Sequence, residues 1–175
     1  SSSSVQNSVG RADLDGSHST PLLTSEGRTF IGMGASKGEV FFGRSDLWGD
    51  IAEIVKINVD GTGTPTVLHK ATKESWFAEL IVDDQYVYWN DHRNETISRV
   101  ARSGGEATVL VSGKGAPFGM AVDAKNLYFT IPDRGIVWQQ SLSGGEPLAL
   151  AAGQQSPYGV AVDDNYVYWT NEGTY

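Results

Sequence analysis

The sequence of 175 residues contains no cysteine, which excludes disulfide bonds and thiolate metal sites. No apolar stretch approaches the roughly 20 residues that a transmembrane helix needs. The first ten residues, SSSSVQNSVG, lack the basic and apolar regions of a signal peptide. The missing cysteines do not by themselves fix the compartment.

Cations are scarce as well. Lys and Arg number 13 against 21 for Asp and Glu, which gives a net charge of −8. Nucleic acids and anionic membranes attract proteins largely through Lys and Arg, so both are poor candidates as partners. Glycine, in contrast, is abundant at 21 residues and favours a fold with many turns.

A repeated segment dominates the sequence. PYGVAVDDNYVYWTN at 157–171 matches PFGMAVDAKNLYFTI at 117–131 and FAELIVDDQYVYWND at 77–91. A more divergent copy, FIGMGASKGEVFFGR, occupies 30–44. The closest three copies repeat every 40 residues, as their aspartates show: Asp83, Asp123 and Asp163.

Each copy reads as two strands around a tight turn, and a second pair of strand-like runs follows it across a glycine turn. Four strands in about 40 residues, without helical periodicity, indicate a β-propeller blade. Runs such as Tyr86-Val87-Tyr88-Trp89 are apolar on both faces, as expected for a strand between two neighbouring blades. The predicted strands are 30–35, 77–82, 117–122 and 157–162 in first position; 39–43, 86–90, 126–130 and 166–170 in second; 54–59, 97–102 and 136–142 in third; and 65–69, 107–111 and 147–151 in fourth.

The last copy lacks its outer strands, whereas residues 9–23 read as an outer pair without an inner one. The sequence therefore predicts an all-β fold, a β-propeller with four blade repeats of four antiparallel strands. N- and C-terminal strands together would complete one blade, which would pair their exposed edges and bury Tyr166, Tyr168 and Trp169. The predicted single domain, 1–175, has blades at about 27–70, 74–112, 114–152, and 154–175 plus 5–24.

The motifs YWND (88–91), YWTN (168–171) and RADLDGS (11–17) resemble the YWTD repeat of low-density-lipoprotein-receptor-type propellers. The resemblance is closer to the bacterial YWTD-like repeat proteins, and it covers nearly the whole chain. It implies an extracellular binding scaffold that usually has no catalytic activity. It also implies that the motif aspartate ties neighbouring blades, a role that falls here to Asp91, with Asn171 as a substitute.

The chain departs from this family in two respects. YWTD propellers generally have six blades, whereas this sequence encodes four, and YFTI (128–131) and FFGR (41–44) depart from the motif. Three arrangements stay open: a four-bladed ring closed by one chain, a larger ring shared by several copies, or a fragment of a longer propeller. The matched terminal strands favour closure.

Candidate ligand contacts lie in the loops after the second strands, which share one end of a propeller with the loops before the first strands. Trp48 is the most distinctive, because an insertion of about four residues carries it between charged side chains. Trp76 and Phe118 lie in the loops on the same side. The candidate contacts are Arg44, Asp46, Trp48, Asp91, His92, Arg93, Asp133, Arg134 and Glu172.

No catalytic residue and no cofactor is predicted. His18, His69 and His92 fall at different radii of a blade, so they do not form a zinc or acid–base cluster. Aspartates recur before each inner turn, where Asp caps its own backbone. Calcium remains an alternative role for them, but it requires six to eight converging oxygens.

These observations favour a non-catalytic binding or assembly module, extracellular or at the cell surface, that uses the loop-rich face. A protein, peptide or glycan suits that face, and copies of the chain could associate through shared blade strands. One alternative is a lactonase-like hydrolase or lyase with a metal in the central channel, where Glu79 is the one predicted acid. A second is a structural repeat unit of a longer polymer.

Overall fold

The computed structural model describes residues 6–46, 52–71 and 75–173. In this part of the chain no helix has the length and apolar character needed to cross a membrane. A short 3-10 turn at Pro132–Arg134 accompanies the strands. The strands are β1 (Gln6–Arg11), β2 (Thr20–Glu26), β3 (Arg28–Ser36), β4 (Glu39–Asp46), β5 (Ala52–Asn58), β6 (Thr66–Lys70), β7 (Phe77–Val82), β8 (Tyr86–Asp91), β9 (Thr96–Ala101), β10 (Thr108–Ser112), β11 (Met120–Val122), β12 (Asn126–Ile131), β13 (Ile136–Ser141), β14 (Leu148–Ala151), β15 (Pro157–Val162) and β16 (Val167–Asn171).

Three sheets have four strands each, and their strands pair in chain order. Blade I contains β3–β6, blade II contains β7–β10 and blade III contains β11–β14. All pairings are antiparallel, so each connection within a blade is a hairpin. The predicted all-β propeller class, with antiparallel sheets of four strands, is confirmed.

Glycine turns join the third and fourth strands of the blades. The Gly104 amide donates a hydrogen bond to the carbonyl of Ala101, and Gly144 donates in the same way to Ser141. Both glycines have positive φ, 87° and 100°, which an L side chain rarely adopts. The same glycine turn therefore closes the outer hairpin of blades II and III.

The core lies between neighbouring blades. Tyr88 and Trp89 of β8 are buried, as are their counterparts Tyr128 and Phe129 of β12, which confirms the expectation that second strands are covered on both faces. Arg102 of blade II also donates hydrogen bonds to Ser36 and Glu39, which flank the turn between the first two strands of blade I. One core cluster joins blades I and II: Phe41, Ala52, Ile54, Leu68, Phe77, Leu80, Val87, Trp89 and Val100.

The terminal strands form two separate pairs. The N-terminal pair, β1–β2, packs beside blade I through Val9, and the C-terminal pair, β15–β16, packs beside blade III. Each is a two-stranded sheet, and the two are not hydrogen-bonded to each other. The blade predicted to combine them is therefore not formed within a single chain. As a result Tyr166, Tyr168 and Trp169, which were expected to be buried, are 65%, 50% and 36% exposed.

Candidate functional site

The loops before the first strands and those after the second strands meet at one end of the blades. The His92 amide donates a hydrogen bond to the Trp76 carbonyl at 2.8 Å, and the Glu172 amide donates to Ser156 at 3.0 Å. Blade II and the C-terminal pair therefore each present these two loops side by side. We call this end of the molecule the loop-rich face.

Four aromatic side chains follow one another across this face. The Trp76 and His92 rings meet edge to face with their centroids 4.7 Å apart. His92 in turn lies 6.4 Å from Phe118, and Phe118 lies 3.9 Å from Tyr158. Trp76 and His92 belong to blade II, Phe118 to blade III and Tyr158 to the C-terminal pair. We call these four residues the aromatic row.

Side chains of the second strands hold the backbone beneath the aromatic row. The Asn90 amide donates to the carbonyls of Pro117 and Phe118 in the next blade. Thr130 donates in the same way to the Tyr158 carbonyl, at 2.6 Å. Both side chains also accept amide hydrogens from their own blade. Because Asn90 and Thr130 are fully buried, these bonds fix the spacing between blades, and with it the spacing of the row.

The aromatic row is accessible and bordered by charges. Trp76 is 52% exposed, an unusual state for the largest apolar side chain, while Phe118 and Tyr158 are half-buried. The Nδ1 atom of His92 is buried without a hydrogen-bond partner in the described part of the chain, so ring packing orients the imidazole. Four exposed charged residues lie in the loops at the same end of the molecule: Arg93, Asp133, Arg134 and Glu172.

Two predicted contact residues, Asp91 and Arg44, already make contacts within the chain. Asp91 is only 4% exposed, and its carboxylate accepts hydrogen bonds from the amides of Trp76 and Asn94 and from the Asn94 side chain. Arg44 pairs at 2.7 Å with Glu53, which is also buried. Asp91 therefore shapes the loop that carries the aromatic row and does not offer its charge to a ligand.

The tie between blades also differs from the one that the resemblance implied. Asp91 bonds within its own blade, and Asn171 donates to Gln154 in the loop that precedes its own hairpin. The tie comes from the preceding motif position, Asn90, and its counterpart Thr130. That position points towards the next blade because alternate residues of a strand face opposite sides.

The remaining predicted contacts that the structure describes lie on the loop-rich face. His92 lies in the aromatic row, and the exposed charges border it. Asp46 ends β4 opposite Arg28, on the same face but in blade I. Trp48, the most distinctive candidate in the sequence, lies outside the described residues, and its contact role stays a prediction.

Tyr158 is the member of the row that sequence reasoning missed. It occupies the repeat position of Phe118, one residue after a proline in both copies. The signal was therefore present in the aligned motifs PFG and PYG. The sequence does not show that the Tyr158 ring stays partly exposed, because its burial depends on the spacing between blades.

The aspartates before the inner turns are structural, as predicted. Oδ1 of Asp123 accepts the amides of Lys125 and Asn126, and Oδ2 accepts the Tyr128 hydroxyl at 2.8 Å. Asp83 and Asp163 repeat this arrangement. Burial alone would raise the pKa of Asp123, but its hydrogen bonds together outweigh burial and lower it. Burial, and then the hydrogen bond to Asp123, raise the pKa of Tyr128. Among the described residues no three His, Asp or Glu side chains are grouped to hold a metal.

The carboxyl group of Glu79 accepts the Met120 amide of the neighbouring blade. Burial raises its pKa, an effect that the hydrogen bond from Met120 partly offsets. The corresponding position of the other copies is glycine, namely Gly32, Gly119 and Gly159. Among the four aligned first-strand positions, Glu79 is therefore the one acid, as the sequence predicts.

Comparison with known proteins supports the repeat type. The chain is 30% identical over 76 residues to the human sortilin-related receptor and 29% identical over 76 residues to the Oryctolagus cuniculus protein of the same name. The match covers 43% of this chain but only 3% of either receptor. No family model matches the sequence. The segment is thus similar to a YWTD-type β-propeller repeat.

Solved structures share the fold. A crystal structure of a nidogen/laminin complex superposes with a TM-score of 0.74 at 21% identity, covering 94% of this chain and 64% of the other. A streptogramin B lyase gives a TM-score of 0.65 at 17% identity, covering 81% of this chain and 48% of the other. The computationally designed Ika4 protein gives 0.67 at 19% identity, covering 83% of this chain and 88% of the other. At these identities the likeness concerns the β-propeller fold alone.

Proposed function

We propose that the chain is a non-catalytic, extracellular or surface-exposed binding module whose loop-rich face takes a protein or peptide. The aromatic row is the observation that carries this proposal. Its rings offer a rigid, amphipathic surface that loses little side-chain entropy on binding, and aromatic residues dominate binding energy at protein interfaces.

The setting of the row supports a macromolecular partner. Trp76 is packed on one side against His92 and open on the other, so a partner can cover it without any rearrangement of the fold. Exposed charges of both signs, Arg93, Arg134 and Asp133 among them, lie in the loops of the same face and suit the polar rim of an interface. The similarity to receptor segments and to a propeller solved in a nidogen/laminin complex agrees with this class of partner.

Selection from a phage-displayed library of random short peptides, with the purified chain as target, tests the proposal. We expect the enriched synthetic peptides to bind the wild-type chain and to lose at least about tenfold in affinity to Trp76→Ala or Tyr158→Ala. Both side chains are partly exposed, so their truncation should leave the fold intact. Thermal melting of each variant checks this.

Lys125→Ala is the matched control, because Lys125 is exposed in a turn at the opposite end of blade III. It should leave peptide affinity unchanged. Peptides that bind Trp76→Ala and Tyr158→Ala as well as wild type, or that lose affinity to Lys125→Ala, would contradict the assignment of the binding face.

A further inference from the structure

Both terminal pairs have an unpaired strand edge. Within the described residues the sheet pairing of β16 involves only β15, and that of β1 only β2. In blades II and III the strand at the position of β16 pairs on both sides, with a first and a third strand. The C-terminal pair thus lacks a third strand, and the N-terminal pair lacks a second.

The repeat fixes how these two edges would pair. The Gly16 amide donates to the Asp13 carbonyl just as Gly104 donates to Ala101, which aligns β1 with β9. In blade II the second and third strands pair through Tyr88 and Arg99. Transferred to the terminal pairs, this register places Tyr168 opposite Arg11, Trp169 opposite Gly10 and Asn171 opposite Ser8.

The side chains brought together by this register are complementary. In blade II the Arg99 guanidinium lies over the Tyr86 ring, 4.4 Å from its centroid. Arg11 and Tyr166 hold the corresponding positions, and both are exposed. In the single chain the Arg11 guanidinium donates to the Val59 carbonyl, so it would have to share or exchange this bond to lie over Tyr166. A cation over an aromatic ring is favourable, more so once it is shielded from water. Gly10 offers the bulky Trp169 a small neighbour, as Ser98 does for Trp89.

The exposure of Leu150 in blade III supports the same arrangement. Leu68 of blade I is buried against blade II, with one methyl group near Gly104. Leu150 has the same place in its own blade but is 40% exposed. Under the register above, it would pack near Gly16, the counterpart of Gly104. The apolar surface exposed at this end of the chain therefore matches what the N-terminal pair can cover.

The C-terminal pair also carries a side chain, Thr170, at the position that ties neighbouring blades by hydrogen bonds. Thr130 accepts the Gly119 amide and donates to Tyr158 in the next blade. Thr170 accepts the Gly159 amide at 3.1 Å in the same way. Its hydroxyl hydrogen is positioned for a carbonyl of a following blade. That carbonyl would come from β3, next to the N-terminal pair.

We propose that a second copy of this chain is the partner, and that two copies close a ring of eight blades through two shared blades. In each shared blade, β15–β16 of one copy pair with β1–β2 of the other, in the register given above. This inference does not depend on the proposed function of the aromatic row.

The blade count selects two copies. The described residues of one copy contain three complete blades and two half blades, which together amount to four blades. One copy alone leaves its terminal pairs apart, whereas three copies would make about twelve blades, more than the usual four to eight. A head-to-tail contact that closes after two steps pairs the open edges of β1 and β16 in both copies.

Light scattering on the unmodified chain gives the first test. We expect a molar mass twice the 18.8 kDa of one chain. A monomer or a larger assembly would overturn the proposal. This measurement requires no substitution, so it does not depend on how a variant folds.

Cross-linking tests the register. Ser8 and Asn171 are exposed and would face each other across the shared blade, as Thr96 faces Asp91 in blade II. The double variant Ser8→Cys/Asn171→Cys should form a disulfide-linked dimer on mild oxidation, because facing residues lie within the roughly 7 Å that a disulfide spans. The chain has no other cysteine.

The matched control is Ser8→Cys/Asn165→Cys. Asn165 is exposed in the turn at the far end of β16, six positions from Asn171 and about 20 Å from Ser8 at roughly 3.3 Å per residue. It should not cross-link. A disulfide within single chains would indicate self-closure and overturn the proposal, as would equal cross-linking of the two variants or none in either.

Discussion

At the scale of single residues, two carboxyl groups have opposite effects on stability. Burial raises the pKa of Glu79, so the folded chain keeps its proton to a higher pH than the unfolded chain does. The partner of Glu39 is Lys56, at 2.7 Å, and the hydrogen bond between them lowers the pKa of Glu39. Glu39 also accepts Arg102 from blade II at 3.0 Å.

Glu79→Gln should raise the melting temperature at pH 7. Above the ordinary pKa of a carboxyl group the unfolded chain loses this proton first, so wild-type stability falls as pH rises towards the raised pKa of Glu79. Glutamine has no proton to lose, and its carbonyl still accepts the Met120 amide. Thermal melts between acid and neutral pH should show the advantage disappearing below the ordinary pKa, where Glu79 is protonated in both states.

Glu39→Gln is the matched control, for which we expect a change in melting temperature opposite to that of Glu79→Gln. Its lowered pKa stabilises the fold at neutral pH, and that contribution is lost as pH falls through the folded-state pKa. The variant should therefore melt below wild type at pH 7 and approach it in acid. Melting temperatures that move in the same direction for both variants at pH 7 would contradict this account.

At the scale of elements, the second strand of each blade organises its surroundings. Its buried side chains form the core, and its fifth residue ties the blade to the next one. Asn90 makes this tie with a side-chain amide and Thr130 with a hydroxyl. Gly43 holds the same position in blade I, where Phe77 packs close instead. The tie can therefore be polar or apolar, provided that it fills the same space.

Asn90→Ala should lower the free energy of unfolding by about 3 kcal/mol. The change leaves the amides of Ala78 and Glu79 and the carbonyl of Phe118 without this partner, and each unsatisfied buried group costs roughly 1–3 kcal/mol. Asn90→Thr, which copies the residue of blade III, should recover about half of the loss. Urea denaturation at a fixed chain concentration measures both. An alanine variant as stable as the threonine variant would show that the tie contributes little.

At the scale of the whole molecule, the arrangement of blades bears on the enzyme alternative. A metal in the central channel would need ligands from several blades, but Glu79 is the one acid among the four aligned first-strand positions. The repeated aspartates lie in the inner turns, each bonded to its own turn and tyrosine. Calcium takes six to eight oxygens, and in the part of the chain that the structure describes no three His, Asp or Glu side chains are grouped to hold a metal.

Calcium and EDTA should therefore leave the melting temperature unchanged. A site filled at a hundred times its dissociation constant would add about 2.7 kcal/mol, which corresponds to roughly 5–10 °C for a chain of this size. Differential scanning fluorimetry detects a shift of that size. If EDTA lowered the melting temperature by this amount, a metal-dependent propeller enzyme would become the better hypothesis.

The sequence determined the fold class because its evidence is local and repeated. The spacing of Asp83, Asp123 and Asp163 gives the period, and each aspartate forms the turn that its position predicts. Glycines such as Gly104 mark the outer turns by their need for positive φ. The turns involve residues only a few positions apart, so each copy shows them by itself, and comparing the copies gives the period.

The candidate site was only partly predictable for the opposite reason. The bond from Asn90 to Phe118 and the contact between Phe118 and Tyr158 join residues of different blades. Whether Asp91 faces solvent or its own loop likewise depends on where Trp76 and Asn94 come to lie. Sequence spacing places these residues at one end of the molecule but does not say which of them remain exposed.

By itself, the sequence determined that this protein is a set of four-stranded antiparallel units with a half unit at each end, because hydrophobic alternation and turn chemistry are encoded within each repeat. Only the tertiary structure decided that Asn90 and Thr130 tie the blades, that four aromatic rings form a row, and that the two half units stay apart in one chain. Those outcomes depend on how neighbouring blades pack, and packing involves contacts between residues far apart in the sequence.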